Sequence, residues 1–327
     1  MPPILLAMFL LGVTLSPRLV VAGMPLGRDC VAEFATVEEG AALLGSADAG
    51  TRRMSPFDRV ARLKSAGRVS PEEHLAFAAR CVLPWTTAER EAVTAAVAVI
   101  DPRLTDLGVV LPERVLLIKT SGAEEARAAY TRGTAIVLPE HILTSPPDVL
   151  RRLVCHELFH VLSRSSPALR EKLYATIGFF PCGDVVLPGE LESRRITNPD
   201  APFFDHCIRV TVDGRKEWVV PVLYSRSEYD AASRRDFFAT MNFRLLVVRL
   251  EGEPSTAAPH LKNGRAILLE TGAVSGFFEQ VGRNTQYLIH PEEILADNFQ
   301  ILVLDASPAA SPEIVRGVAE VLRHSAQ

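Results

Sequence analysis

His156-Glu157-Leu158-Phe159-His160 carries the residue types and the spacing that bear most directly on chemistry. On a helix, side chains four residues apart share a face, so both imidazoles can reach one metal ion while Glu157 sits beside the ion's open position as a base. The surroundings predict that helix. Pro146 and Pro147 close the preceding segment, Asp148 can cap the first turn, and Val149, Leu150, Leu153, Val154, Leu158 and Leu162 recur at near-helical spacing until Ser165-Ser166-Pro167 ends the pattern. The blander reading of the same residues is a pair of hydrogen-bonded core histidines on a buried helix.

A catalytic zinc site takes three protein ligands and keeps a fourth position for water. A third histidine in the extended pattern His-Glu-x-x-His-x-x-Gly-x-x-His is excluded, because Ser163 and Ser166 stand where the Gly and the His would fall. Glu190, Glu192 and Glu293 remain as downstream acids. Glu293 is followed four residues later by Asp297, and an Asp one turn on can accept a hydrogen bond from the far nitrogen of a metal-bound His and fix its tautomer. Four residues beyond Glu190 and Glu192 stand Arg194 and Ile196, which offer no such partner. Pro291 suits the first turn of a helix, and Ile294, Leu295, Phe299, Leu302 and Val303 supply its apolar face.

These two motifs, in this order, resemble the gluzincins, the thermolysin-like group of zinc metallopeptidases whose pattern is His-Glu-x-x-His followed by a helix with Glu-x-x-x-Asp. The match covers the two short motifs and departs in spacing, since a long segment separates His160 from Glu293. The stretches Ile196-Thr-Asn-Pro-Asp-Ala-Pro202 and Asn284-Thr-Gln-Tyr287 look like a secreted bacterial branch rather than thermolysin itself. The resemblance implies an α+β, zincin-like metallopeptidase core with a β-rich insertion between two metal-binding helices. It also implies Zn²⁺ held by His156, His160 and Glu293, with Asp297 behind one histidine. Peptide or protein would be the substrate, with Glu157 taking a proton from a zinc-bound water. Tyr287 and His290, just before the Glu293 helix, are candidates to stabilise the oxyanion, with Arg283 and Tyr224 behind them. Two other functions fit the same residues: an inactive zincin serving as a binding or scaffold module, and a zinc amide hydrolase acting on cell-wall peptides. Glu157 argues against the first, because a metal staple needs ligands but no base.

Ile4 to Leu15 form an apolar stretch too short to span a bilayer, and Val20-Val21-Ala22 suits a signal-peptidase site. Residues 1–22 therefore read as a signal peptide, which predicts a secreted or periplasmic protein with no stable membrane span after cleavage. The formal charge of −4 comes without a basic block, so nucleic acid is not an expected partner. Among Cys30, Cys81, Cys155, Cys182 and Cys207, an odd count leaves one thiol free. Cys155, beside His156, is the expected free thiol; Cys182 with Cys207 and Cys30 with Cys81 are the expected pairs.

Residues 23–110 read as a helical N-terminal region and 111–327 as the catalytic domain. Val37 to Leu44, Pro56 to Ala66 and Pro71 to Cys81 are helical candidates, and Thr86-Thr-Ala-Glu89 forms a capping box before another. Val115 to Thr120 and Gly133 to Pro139 read as strands. The second is placed as the sheet edge that would pair with extended substrate through Gly133 to Ile136. A helix is expected from Pro167 to Phe179, then strands at Arg209–Val212, Glu217–Leu223 and Arg244–Leu250, and a final helix capped at Ser311. Asn198, Asp200, His206 and Tyr224 read as surface or turn residues.

Overall fold

The computed structural model describes residues 23–233, 237–252, 256–304 and 308–325. The expected signal peptide, residues 1–22, lies outside them. Among the described residues, no helix is long and apolar enough to cross a membrane.

The chain is a mixed α+β protein. It opens with β1 (Met24–Pro25) and β2 (Val31–Phe34), followed by α1 (Val37–Leu44), α2 (Ala49–Arg53), α3 (Pro56–Leu63), α4 (Pro71–Arg80) and α5 (Thr87–Asp106). Reciprocal capping boxes start α1, α3, α4 and α5, from Thr36/Glu39, Ser55/Asp58, Ser70/Glu73 and Thr86/Glu89. Each satisfies two of the amides that a helix start leaves unpaired.

β3 (Arg114–Thr120), β4 (Tyr130–Arg132) and β5 (Ala135–Pro139) complete a five-stranded sheet in the order β1-β2-β3-β5-β4. β2, β3 and β5 run parallel, and β4 is antiparallel to β5. Alternation along β3 sends Val115 and Leu117 into the main core with α5, and Leu116 and Ile118 into a smaller core under α1 and α4. Two sequence expectations change here. The N-terminal region is not purely helical, and a boundary at residue 110 falls inside one sheet, between β2 and its partner β3. The edge strand is β4, not the Gly133–Pro139 segment, because the turn at Gly133, with φ +61, folds Tyr130–Arg132 back along the outside.

α6 (Pro147–Ser165) holds the His-Glu-x-x-His run, and Pro146 occupies its cap position; Asp148 lies inside the first turn and pairs with Arg151 instead. α7 (Pro167–Ala175) stops short of its expected end. Gly178 turns with φ +79 and Phe179 enters β6 (Phe179–Pro181). A second, antiparallel sheet follows from β6, β7 (His206–Val212), β8 (Arg215–Ser225), β9 (Met241–Glu251) and β10 (Thr256–Pro259). Short connections interrupt this region: α8 (Glu190–Ser193), α9 (Phe237–Thr240), the ribbon β11 (Leu261–Lys262) with β12 (Arg265–Ala266), and β13 (Leu268–Leu269). One face of the sheet, including Val219, Leu245 and Val247, joins the main core; the other, including Val220, Val222 and Leu246, packs with Phe57 and Ala61 of α3.

The chain closes with α10 (Phe278–Val281), α11 (Pro291–Leu304) and α12 (Pro312–Ser325). α11 lies against α6, with the Phe159 and Phe299 rings 5.6 Å apart. All five cysteines are free thiols. Cys182 and Cys207 are hydrogen-bonded neighbours. Cys30 and Cys81 adjoin opposite ends of β3, since Val31 pairs with Arg114 and Val82 with Thr120. That separation is roughly 20 Å, which no disulfide bridges. Cys155 is buried, and burial alone pushes its thiol well above the usual range.

Candidate metal centre

The apolar face that seats α6 on the core leaves His156, Glu157 and His160 on the side facing α11. From α11, Glu293 reaches back between the two imidazoles. His156 Nε2 lies 3.0 Å and His160 Nε2 3.6 Å from Glu293 Oε2. Ligand atoms bound tetrahedrally at about 2.1 Å lie about 3.4 Å apart, so two nitrogens and one carboxylate oxygen are spaced to share one ion. His160 Nε2 is buried and has no hydrogen-bond partner. An orphaned, buried nitrogen at the convergence of these side chains fits a metal, and the donor set suits zinc.

Each imidazole is held from behind. Asp297 Oδ1 lies 3.0 Å from His156 Nδ1, and Thr285 donates its hydroxyl to the other Asp297 oxygen. Glu292 lies 2.9 Å from His160 Nδ1 and also accepts from the hydroxyls of Ser163 and Tyr174. Both contacts use Nδ1 and leave the two Nε2 atoms toward Glu293. Burial disfavours the His156 cation, yet Asp297 and Glu293 outweigh it and raise its pKa well above the ordinary value. Glu292 escaped the sequence reading, because its place next to Glu293 does not say that its side chain meets His160.

The segment from Arg195 to Pro202 forms the third wall. Asn198 donates its amide to Glu293 Oε1, and Asp200 Oδ1 accepts the Thr131 backbone N–H of β4 at 2.7 Å. Arg164, one turn beyond His160, donates to the carbonyls of Thr131 at 3.0 Å, Pro199 at 3.1 Å and Asp200 at 3.2 Å. The far end of the segment is tied to α3. Asp58 accepts the Thr197 N–H, Arg62 donates to the Thr197 carbonyl at 2.7 Å, and Ser55 donates to the Arg195 carbonyl at 2.6 Å. Asp58 and Arg62 are both buried and paired with each other, with Glu125 on the other side of Arg62. An N-terminal helix without visible chemistry thus positions a wall of the site.

Glu157 is 2% exposed, and Thr131 donates its hydroxyl to Glu157 Oε2 at 3.0 Å. Burial, opposed by His156 and reinforced by Glu293, pushes its carboxyl up to about 7. Glu157, His160 and Asp200 form a second group whose potential ligand atoms lie within 4.8 Å of one another. Burial, opposed by His160 and reinforced by Glu157 and Glu293, pushes Asp200 up to about 8. Asn198 and Asp200 therefore belong to the site rather than to an ordinary turn.

The remaining expected residues separate clearly. The Tyr287 phenol faces the carboxylates: burial first, then Glu293, Asp200 and Glu157, raise its pKa, although the residue as a whole is 42% exposed. His290 is not an open-face donor. Its Nδ1 accepts the Glu292 N–H at 3.1 Å, which caps α11, and burial lowers its pKa to about 4, so the ring is neutral. Its ring lies 6.0 Å from Tyr174 and 6.5 Å from His206. His206 is buried between Asp205 and Glu171. Arg283 lies over the Phe278 ring, and Tyr224 pairs within β8 and β9; neither joins the site. Glu192 is held by Arg53 and the Leu187 N–H, while the Glu190 side chain lies outside the described part. Gly133 is in the β4–β5 turn and Ala135 and Ile136 are inside the sheet, so the edge backbone nearest the centre belongs to Thr131. No family model, curated protein or solved structure matches the chain.

Proposed function

We propose that the protein is a zinc-dependent hydrolase of peptide bonds with a gluzincin-type, zincin-like centre. The observation that carries this reading is the convergence of His156, His160 and Glu293, with the two imidazoles backed by Asp297 and Glu292 and His160 Nε2 left without a protein partner. Held by these three residues, Zn²⁺ would supply Lewis acidity to polarise the scissile carbonyl and activate water.

The chain's own groups divide the remaining work. Thr131 fixes one oxygen of Glu157, leaving the other to take a proton from the attacking water and pass it to the leaving amine. Burial raises the Glu157 carboxyl above the ordinary range, which favours uptake of the proton before it is passed on. The Tyr287 phenol keeps its proton among the carboxylates and can donate a hydrogen bond to the carbonyl oxygen as charge gathers there. Asn198 holds Glu293 from the opposite side to the histidines. The apolar leader favours a secreted or periplasmic setting.

Elemental analysis of the chain purified without chelator should find one zinc per molecule. Glu157→Gln should keep zinc and fold while losing hydrolysis of a fluorogenic peptide library, because it removes the base and no ligand. Absence of zinc, or wild-type cleavage by that variant, would sink the reading.

A further inference from the structure

An unused β-strand edge offers outward N–H and C=O groups to any extended chain laid beside it. At Thr131 of β4 these groups are already taken. The N–H goes to Asp200 Oδ1 at 2.7 Å, and the carbonyl accepts from Arg164 at 3.0 Å. The same guanidinium grips the Pro199 and Asp200 carbonyls, so one side chain pins the segment to the edge. Asn198 adds an amide bond to Glu293 and accepts the Asp200 N–H at 3.0 Å.

The Asp200 carboxylate also faces inward. A potential ligand atom of Asp200 lies within 4.8 Å of ones on Glu157 and His160, a group that shares His160 with the His156–His160–Glu293 centre. We propose that Asn198–Ala201 is a built-in stopper in which Asp200 serves as a resting carboxylate ligand to the metal and occupies the Thr131 backbone position an extended substrate would use. The proposal rests on the metal-centre reading above and adds a regulation to it: substrate must displace the chain's own Asp200. Anchorage of Arg195 and Thr197 to α3 sets the hinge, because the buried Asp58 and Arg62 hold that end while Asn198 to Ala201 carries the contacts that must break.

The test uses the zinc-loaded full chain with Asp200→Ala and Asp200→Asn. Zinc transfer to a chromogenic chelator is timed, and cleavage of a fluorogenic peptide library is followed in parallel. Asp200→Ala should release zinc about tenfold faster than wild type and cleave extended peptides several-fold faster. Asp200→Asn, which keeps an acceptor for the Thr131 N–H, should fall between them, and it carries the zinc measurement alone if the alanine variant does not fold. Unchanged zinc release overturns the ligand role. Faster release with slower cleavage overturns the stopper, since Asp200 would then serve the reaction. Faster release with no cleavage by any form, wild type included, supports the ligand role and removes the peptide-hydrolase reading instead.

Discussion

The α6–α11 pair and the Arg195–Pro202 segment both reach Glu293, and they are held in place by different physics. The helices are fixed by apolar packing, with Leu158, Phe159, Ile294, Leu295 and Phe299 at or near zero exposure. The segment has little apolar surface at the site and is fixed by buried polar bonds to Asp58, Arg62 and Arg164. Packing tolerates modest changes of shape, whereas a buried charge network loses most when one partner is removed. The frame that carries the proposed ligands should therefore be robust, and the wall proposed to regulate access should be the fragile part.

Removing a ligand should have the largest effect. Glu293→Ala leaves the apolar contact of α6 with α11 intact but takes away a carboxylate oxygen that lies 3.0 Å from His156 Nε2 and 3.6 Å from His160 Nε2. The folded variant should lose its zinc on gel filtration, and retention of one zinc per chain would show that the ligand set is misassigned. Arg62→Ala comes next. It leaves the buried Asp58 and the half-buried Glu125 without their cation, so urea unfolding should show a loss of about 3 to 5 kcal/mol. Protein that remains folded should still bind zinc; loss of zinc with unchanged stability would contradict the division between frame and wall.

Glu292→Gln should sharpen the comparison within the frame. It weakens the acceptor behind His160 without touching a ligand, and zinc affinity should fall about 10 to 100-fold in competition with a chelator. Asp297→Asn should cost less, because Asp297 is 29% exposed and Glu292 2% by side chain. The reverse order would mean that burial of the supporting carboxylate does not matter.

The smallest effect concerns pH. His74 is buried beside the Arg62 network, and burial, with Arg62, Arg132 and Arg59 behind it, lowers its pKa from 6.5 to about 3. A histidine depressed in the folded state binds its proton mainly in the unfolded chain, so stability is greatest above pH 6.5 and falls as pH drops toward 3. Between about pH 6.5 and pH 5 this residue should remove about 1 to 2 kcal/mol. His74→Leu should flatten that part of the urea-stability profile, and an unchanged slope would exclude His74 as its source.

What was legible followed local rules. Helical spacing placed His156 and His160 on one face with Glu157 beside them, Pro291 and the Glu293–Asp297 spacing marked the partner helix, and Thr86 with Glu89 announced α5. The apolar run Val115 to Ile118 was readable as a strand but not as a strand shared with the N-terminal region. The edge was misplaced by one strand, because the reversal at Gly133 decides whether Tyr130–Arg132 lies outside Ala135–Pro139. His290 was assigned to the reaction from its position before α11, whereas its ring turns back to cap that helix.

The sequence by itself determined the arrangements that depend on neighbours along the chain: a His pair one helical turn apart, a Glu between them, and a Glu with an Asp one turn later on a second helix. Residues within one or two turns meet whatever the rest of the molecule does, so their geometry is written in their spacing. The tertiary structure alone decided that Glu292 stands behind His160, that Asn198 and Asp200 enter the site, and that α3 holds their segment through Asp58 and Arg62. Each of these contacts joins residues far apart in sequence, and a polar side chain looks the same in the sequence whether it will face water or a buried partner. Which it meets is set by how the helices and sheets pack.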